Sequence, residues 1–236
     1  LDKIIENKEK EIFFNFIERR SRNEPVAYIT GYKEFWKSKF KVDKNVLIPR
    51  PDTETIIEQV LNEVKINSSK KILDIGTGSG CIIISILKER KKCYGVGIDI
   101  SKNAVKLAKY NAKIQHIDNR IKFLNSDIDN FYGDKYDLII SNPPYIEQYK
   151  INSLEKDIKN HEPKIALDGG IDGYNKIRLI IEKSSTLIKK KGKLFLELGI
   201  NQTRETLKIL NLNGFYKNKV VKDLANKNRC IISTKI

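Results

Sequence analysis

The sequence predicts an α/β protein built on a mainly parallel, seven-stranded sheet that ends in an antiparallel hairpin. From Lys70 onward, short apolar segments alternate with longer segments of helical periodicity, which is typical of strand–helix–strand units. The last two β-rich segments follow each other without a helix between them, which favours an antiparallel pair at one sheet edge. A small helical and β-hairpin segment precedes this unit. We therefore expect two regions, residues 1–66 and residues 67–236.

The first region divides into three predicted parts. Charged residues with helically spaced apolar side chains predict one or two helices over residues 3–22. Residues 27–48 are rich in β-forming residues in partial alternation and predict a hairpin. Two prolines end this pattern, and Asp52 or Thr53 can cap a helix that runs to about Lys65. The apolar positions of the first part are Ile4, Ile5, Ile12, Phe13, Phe16 and Ile17.

The second region contains the predicted sheet and its helices. Apolar segments of four to six residues predict strands at residues 71–75, 94–98, 121–124, 136–141, 193–198, 216–221 and 229–233. Longer amphipathic or apolar segments predict helices at residues 81–90, 101–114, 174–189 and 202–210, with Ser101 as the cap of the second.

The net charge of +15 indicates either a biased composition or an acidic partner. Only nine of the 45 basic residues are arginines, and the 36 lysines are spread along the whole chain. Arginine is the residue that base readers and phosphate clamps favour, so this distribution does not predict a nucleic-acid site. Lysine, isoleucine and asparagine are abundant together, which is typical of an A/T-rich coding sequence. A partner with an acidic surface or phosphate groups remains the alternative.

Cysteine usage and hydropathy exclude further classes. Cys81, Cys93 and Cys230 are odd in number and form no C-x-x-C pair, so we expect free thiols and neither a disulfide nor a metal site. The longest mostly apolar stretch, residues 81–87, is far shorter than the ~20 residues that span a bilayer. We therefore expect no membrane contact, a cytoplasmic location and a monomer. The chain begins with Leu1 and contains no methionine, so we expect it to begin within a longer protein.

The first motif is a glycine-rich turn between a strand and a helix. Residues 72–80 have the sequence Ile-Leu-Asp-Ile-Gly-Thr-Gly-Ser-Gly, which lacks the glycine spacing of a pyrophosphate-binding turn. Glycine lets a ligand approach the backbone closely. Asp74 favours a cationic group, such as the amino group of a methionine moiety, over a phosphate. The candidate ligand contacts are Asp74, Gly76, Thr77, Gly78, Ser79 and Gly80.

Acidic residues follow the next two predicted strands. Asp99 ends the second strand, where a carboxylate can accept both hydroxyls of a ribose. Asp127 follows the third strand and can accept the amino group of an adenine, with Ile128 beside it. Together with the glycine turn, these residues predict S-adenosylmethionine as the cofactor. A plain βαβ turn with surface acids, or an NAD site, is the alternative.

The second motif is Asn142-Pro143-Pro144-Tyr145, directly after the fourth strand. The two prolines fix φ and remove two backbone donors, which leaves the carbonyl of Pro143 free of local competition. A planar NH₂ group can donate one hydrogen to the Asn142 side-chain oxygen and the other to this carbonyl. Tyr145 can stack on the planar group. This arrangement favours methyl transfer to an amide or an exocyclic amine through positioning rather than a strong base.

At these residues the chain resembles class I S-adenosylmethionine-dependent methyltransferases with the Asn-Pro-Pro-Tyr signature, which have a Rossmann-like fold. Further motifs make it similar to the release-factor glutamine methyltransferases, the PrmC/HemK family, and distinguish it from the ribosomal-protein glutamine methyltransferases. These motifs cover nearly the whole chain: residues 22–31, Glu34-Phe35-Trp36, residues 46–54, Glu162-Pro163, residues 166–170 and Asp172-Gly173.

The resemblance implies transfer of a methyl group to the glutamine amide in the Gly-Gly-Gln loop of peptide chain release factors, with S-adenosylhomocysteine as the second product. Asn142 and Pro143 would hold the amide, while Pro144 and Tyr145 line the slot. Residues 76–80 and Asp99 would hold the cofactor, which Asn142, Asp127 and Ile128 also border. The N-terminal region would help to grip the release factor.

The chain departs from the family at two places. The N-terminal helical bundle of the family is longer, and Ile128 stands where the family often has an aromatic residue. A nucleic-acid methyltransferase acting on an exocyclic amine of adenine or guanine is the alternative function. No target-recognition region is recognisable for it. Arg50 either meets the substrate or caps a turn, and His161 is expected in a loop.

Overall fold

The computed structural model describes residues 6–236. The strands are β1 Tyr32–Phe35, β2 Ser38–Lys41, β3 Lys71–Ile75, β4 Tyr94–Asp99, β5 Ile121–Asn125, β6 Tyr136–Ser141, β7 Ile188–Glu197, β8 Phe215–Lys222 and β9 Asn228–Lys235. The helices are α1 Asn7–Ser21, α2 Val26–Thr30, α3 Glu54–Glu63, α4 Cys81–Glu89, α5 Lys102–Ile114, α6 Lys156–His161, α7 Asn175–Leu187 and α8 Thr203–Leu212.

The sheet confirms the predicted fold class. Seven strands pair in the order β5-β4-β3-β6-β7-β9-β8. The first five of these are parallel, and β9 runs antiparallel to both β7 and β8. Strand β3 therefore lies between β4 and β6, and the carboxyl ends of all three strands emerge at one edge of the sheet. None of the helices within residues 6–236 has the length and apolar character to cross a membrane.

The N-terminal region differs from its prediction at one point. Residues 26–30 form the short helix α2, so the hairpin is confined to β1 and β2, within residues 32–41. The β-forming character of Tyr28 and Ile29 misled the prediction, because both side chains are buried by tertiary packing rather than by a strand partner. The predicted positions Ile4 and Ile5 lie outside the described residues.

The second region also differs in two places. Strand β7 begins at Ile188, which pairs with Tyr136, rather than at Lys193. Ile188 pairs with Tyr136 and Lys193 with Leu138, so β7 contains the extra residues between these two pairs, and Lys191 with its left-handed backbone lies among them. His161 ends helix α6 instead of lying in a loop.

Alternate residues of the central strands enter two cores on opposite faces of the sheet. Ile72 packs with helices α3, α4 and α5, and this core also takes in Phe35 and Phe40 of the hairpin. Leu73 and Ile75 pack with helices α7 and α8. The hairpin and α3 thus share a core with the larger region, and the division at residue 66 stays a prediction.

Asn111 joins the hairpin to the glycine turn. Its side chain is fully buried in helix α5 and bonds both backbone groups of Lys41, at 2.8 Å from the Lys41 amide to Oδ1 and 3.0 Å from Nδ2 to the carbonyl. The same Nδ2 donates to the carbonyl of Ser79 at 2.8 Å. One buried amide therefore fixes the N-terminal hairpin against the turn that follows β3.

Replacing Asn111 with alanine should leave these three backbone groups without partners. We expect Asn111→Ala to lower the free energy of unfolding by about 2–4 kcal/mol, measured by urea denaturation. The control is Asn103→Ala on the same helix, whose exposed bond to Asn45 should contribute less than about 0.5 kcal/mol. Equal losses for both variants would contradict this assignment.

Candidate active site

The glycine turn opens the end of β3 towards a cleft. Gly76, Gly78 and Gly80 all have positive φ angles, of 73°, 55° and 80°. The amides of Gly76 and Thr77 donate to the carbonyl of Ile98 on β4, at 2.9 and 3.0 Å. A Cβ atom added at Gly76 or Gly78 would meet no atom within 4 Å, so this side of the turn is open to a ligand.

Asp99 lies across this turn at the end of β4. Its Oδ2 accepts from the amide of Gly78 and its Oδ1 from the amide of Ser101, each at 2.9 Å. Burial raises the pKa of Asp99, while these backbone hydrogen bonds lower it. Each oxygen retains a further lone pair, so the carboxylate can still accept hydrogen bonds from a ligand.

Asp74 lies behind the turn rather than on the cleft surface. Its side chain is fully buried, Oδ2 accepts from the Thr77 hydroxyl at 2.7 Å, and Oδ1 has no hydrogen-bond partner within residues 6–236. Burial raises the pKa of Asp74 to about 7, against the opposing effect of the Thr77 hydrogen bond. Its predicted contact with a cationic ligand stays a prediction.

Asn142 and Pro143 present acceptors to the same cleft. The Asn142 Nδ2 donates to the hydroxyl of Thr53 at 3.2 Å, which turns Oδ1 away from Thr53. Among the described residues, no donor bonds to this Oδ1 or to the carbonyl of Pro143. Both residues line the cleft, and each has an acceptor without a partner among the described residues. That these acceptors hold a ligand amide stays a prediction.

Tyr145 is held by a second set of contacts. Its hydroxyl faces Oε1 of Glu197 at 3.5 Å, and its carbonyl accepts from Gln202 Nε2 at 3.2 Å. Gln202 also binds the carbonyl of Gly173 at 3.1 Å, which joins the Tyr145 segment to the loop before α7. Tyr145 is absent from the cleft lining, and its stacking role stays a prediction.

The cleft, together with the solvent-filled space at its mouth, has a volume of about 1120 Å³ and is bordered mostly by apolar atoms. It brings together most of the predicted site residues, from four separate strand ends, although Asp74, Gly80 and Tyr145 lie outside its lining. The predicted residues on its surface are Gly76, Thr77, Gly78, Ser79, Asp99, Asp127, Ile128, Asn142, Pro143 and Pro144.

An ion pair closes one side of this cleft. Arg50 donates to Oε1 of Glu162 at 2.5 Å, and the Glu162 side chain is almost fully buried. Burial raises the pKa of Glu162, whereas the nearby Arg50 guanidinium lowers it. Arg50 lines the cleft, so this pair fixes the proline-rich segment after β2 against the loop after α6.

His161 faces the carbonyl of Arg22 on the surface, at 3.2 Å.

Comparisons with known proteins identify the family of this chain. The family described as "Methyltransferase small domain" matches residues 52–225, and "PrmC N-terminal domain" matches residues 1–31. A relative from Thermodesulfovibrio yellowstonii named release factor glutamine methyltransferase is 42% identical over 224 residues, covering 94% of this chain and 80% of that protein. The chain belongs to the release factor glutamine methyltransferase family. This confirms the resemblance to the release-factor glutamine methyltransferases that the sequence motifs indicate.

Solved structures of other methyltransferases share the fold of this family member. A methyltransferase from Pyrococcus furiosus matches with a TM-score of 0.64 at 16% identity, covering 94% of this chain and 98% of that one. Magnesium protoporphyrin IX methyltransferase from Synechocystis PCC 6803, solved with bound SAM, matches with a TM-score of 0.55 at 17% identity and covers 78% of each chain.

Two residues near the amide acceptors were not predicted as site residues. The sequence predicts Thr53 only as a helix cap, but its side chain makes no capping bond and its hydroxyl accepts from Asn142. Glu197 ends the buried part of β7 and is itself only 2% exposed. Glu197 could have been predicted as a site residue, because it lies at the end of an apolar strand, as Asp99 does.

Asp74 allows a test of the buried turn through pH. The pKa of Asp74 is 3.8 in the unfolded chain and about 7 in the folded protein, so the wild type loses stability as pH rises from about 4 to about 7. Asp74→Asn removes this charge. The free energy of unfolding of the variant, relative to the wild type, should therefore increase by about 2–4 kcal/mol between pH 4 and pH 8, measured by urea denaturation.

The matched control is Asp134→Asn. Asp134 is exposed, and its hydrogen bond and ion pair with Lys71 lower its pKa, so the stability that its charge contributes is lost only as pH falls below about 3.8. The relative stability of this variant should therefore change little between pH 4 and pH 8. A pH-independent difference between Asp74→Asn and the wild type would show that the Asp74 carboxyl is not perturbed.

Proposed function

We propose that this chain transfers a methyl group from S-adenosylmethionine to the side-chain amide nitrogen of the glutamine in the Gly-Gly-Gln motif of peptide chain release factors. The observation that carries the proposal is the pair of open acceptors, Asn142 Oδ1 and the Pro143 carbonyl, on the same cleft as the glycine turn. Membership of the release factor glutamine methyltransferase family supports the choice of substrate.

The residues of the cleft fit S-adenosylmethionine. The open face of Gly76 and Gly78 leaves room for the cofactor against the backbone, and the Asp99 carboxylate has lone pairs for ribose hydroxyls. Asp127 and Ile128 line the cleft beyond β5, where they would border the adenine. When bound, S-adenosylmethionine supplies an electrophilic methyl group on a sulfonium. A bound S-adenosylhomocysteine would use the same contacts.

The chain's own residues position the substrate amide. An amide nitrogen is a poor nucleophile because its lone pair is delocalised into the carbonyl. Asn142 Oδ1 and the Pro143 carbonyl would each accept a hydrogen bond from one of the two N–H groups of the amide. These bonds would orient the nitrogen and favour a geometry in which its lone pair points out of the amide plane. Preorganised acceptors of this kind act through positioning and electrostatics, so the proposed reaction needs no strong base.

The proposal extends to partner and location. The release factor is the protein substrate, and the chain acts on it as a monomer. Because release factors act in translation, the same proposal places the reaction in the cytoplasm. Nucleic acid is not expected as a substrate, since the relatives that support the family assignment are named for release factors.

Mass spectrometry of a release factor after reaction tests the proposed function. Incubation with S-adenosylmethionine should add one methyl group to the peptide that contains Gly-Gly-Gln, on its glutamine. A release factor with that glutamine replaced by alanine is the control substrate. Methylation of DNA or RNA, with none on the release factor, would replace this proposal with the nucleic-acid alternative.

Asn142→Ala should separate substrate positioning from cofactor binding. We expect its kcat to fall by at least about 100-fold, because one of the two amide acceptors is lost. The Kd for S-adenosylmethionine, measured by calorimetry, should change by less than about three-fold, since Asp99 and the glycine turn remain. A similar loss of cofactor affinity would contradict this division of roles.

A further inference from the structure

Residues 45–53 run along the cleft from helix α5 to the segment after β6. Val46 and Ile48 pack against α5, which follows β4. At the other end, the Thr53 hydroxyl accepts from Asn142 at 3.2 Å. Arg50 therefore lies between these two contacts, three residues before Thr53. The residues of this segment that line the cleft are Asn45, Val46, Leu47, Pro49, Arg50 and Thr53.

Arg50 binds the rest of the protein through only one of its side-chain nitrogens. Nη2 donates to Oε1 of Glu162 at 2.5 Å, and within residues 6–236 no acceptor bonds to Nε or Nη1. The side chain makes no capping bond at the turn formed by residues 51–53, which excludes that alternative for it. A guanidinium has five N–H donors, and this one is 36% exposed on the cleft lining. Arg50 therefore retains donors for a ligand.

The neighbours of Arg50 hold its guanidinium in place. Pro49 and Pro51 flank it, and their rings fix the φ angles on both sides. The backbone of Arg50 is extended, with φ −100° and ψ 142°, as is favoured before a proline. The Glu162 side chain that binds the guanidinium is only 1% exposed. A side chain that is ordered before binding loses less conformational entropy when a ligand binds, so Arg50 offers preformed donors.

The ion pair with Glu162 favours a neutral acceptor over an anionic one. Glu162 balances the charge of Arg50, and a ligand carboxylate at this guanidinium would lie near a second carboxylate. A carbonyl oxygen accepts the same N–H donors without that repulsion. Lys176 is the other cation on the cleft lining and has no ion pair among the described residues, so an anionic group would find a better partner there.

We propose that Arg50 is a specificity-determining residue that donates hydrogen bonds to a main-chain carbonyl of the glycines beside the target glutamine. This inference rests on the proposed function, because it names how the same cleft recognises the segment around that glutamine. Glycines have no side chain, so only their backbone groups and small size can be recognised. Arg50 supplies the donor, and Glu162 positions it.

The first test measures methylation of a release factor by the full chain, with S-adenosylmethionine saturating. Arg50→Gln removes the guanidinium, so kcat/KM for the release factor should fall about ten- to 100-fold, mainly through a higher KM. Arg50→Lys keeps a charge for Glu162 but loses the planar fork, and kcat/KM should fall at least about five-fold. The Kd for S-adenosylmethionine should change by less than about three-fold in both variants.

A second measurement distinguishes the main chain of the substrate from its glutamine side chain. A release factor with the target glutamine replaced by alanine keeps the glycine carbonyls and should inhibit the reaction competitively. Arg50→Gln should raise the Ki of this inhibitor by about the same factor as it raises the KM of the release factor, because the two contacts are independent. An unchanged Ki would contradict main-chain recognition.

A double variant separates recognition from stability. Arg50→Gln leaves the buried Glu162 carboxylate without its partner, which lowers stability. Arg50→Gln/Glu162→Gln removes that unpaired charge but does not restore the guanidinium, so its kcat/KM should stay as low as that of Arg50→Gln. The matched control is Arg178→Lys. Arg178 pairs with Asp172 outside the cleft lining, and this variant should keep the wild-type kcat/KM.

The outcomes separate this inference from the proposed function. If the wild type methylates the release factor but the Arg50 variants keep its KM and Ki, the role of Arg50 is wrong and the proposed function stands. A loss confined to the affinity for S-adenosylmethionine would assign Arg50 to the cofactor and also overturn the inference. If the wild type leaves the glutamine unmodified, the proposed function fails and the inference falls with it. Far-UV circular dichroism establishes that each variant is folded, and Arg50→Lys and the double variant decide the question if Arg50→Gln does not fold.

Discussion

The parallel pairing of β3 with β4 and β6 is the constraint on which the site depends. Ile75 pairs with Ile98 on one side and with Ser141 on the other, so the three strands end at the same level. The Ser141 hydroxyl also donates to the carbonyl of Ile75 at 2.8 Å, which joins the glycine turn to the Asn142 segment. The carboxyl ends of parallel strands lie at the same edge of the sheet. Polar residues that are distant in sequence therefore meet in one cleft.

Segments outside this central group complete the cleft. Arg50 and Thr53 come from the chain between the hairpin and α3, and they contact Glu162 and Asn142 respectively. Arg229 of β9 binds both Asp52 and Asp223, at 3.0 and 2.9 Å, and so fixes the start of α3 against the antiparallel edge of the sheet. The N-terminal region therefore forms part of the wall of the cleft.

Several carboxyl groups around the cleft are buried in a way that lowers the stability of the folded protein. Asp74, Glu162 and Glu197 each have one oxygen without a hydrogen-bond partner among the described residues, and burial raises the pKa of all three. An unpartnered buried oxygen destabilises a protein unless other contacts offset it. The two apolar cores on either side of the sheet provide that stability, which lets the strand ends carry groups selected for chemistry.

The sequence by itself determined the sheet, the order of its elements and the residues at its strand ends. Alternating strands and helices place Asp99 and Asn142 at carboxyl ends, because local periodicity and proline or glycine signals act over a few residues. Only the tertiary structure decided that Thr53 meets Asn142, 89 residues away, and that the Tyr145 hydroxyl faces the carboxylate of Glu197. The same applies to the helix at Val26–Thr30, whose β-forming residues gain more from burial than from pairing. Contacts between distant side chains depend on strand register and helix packing, which no short stretch of sequence specifies.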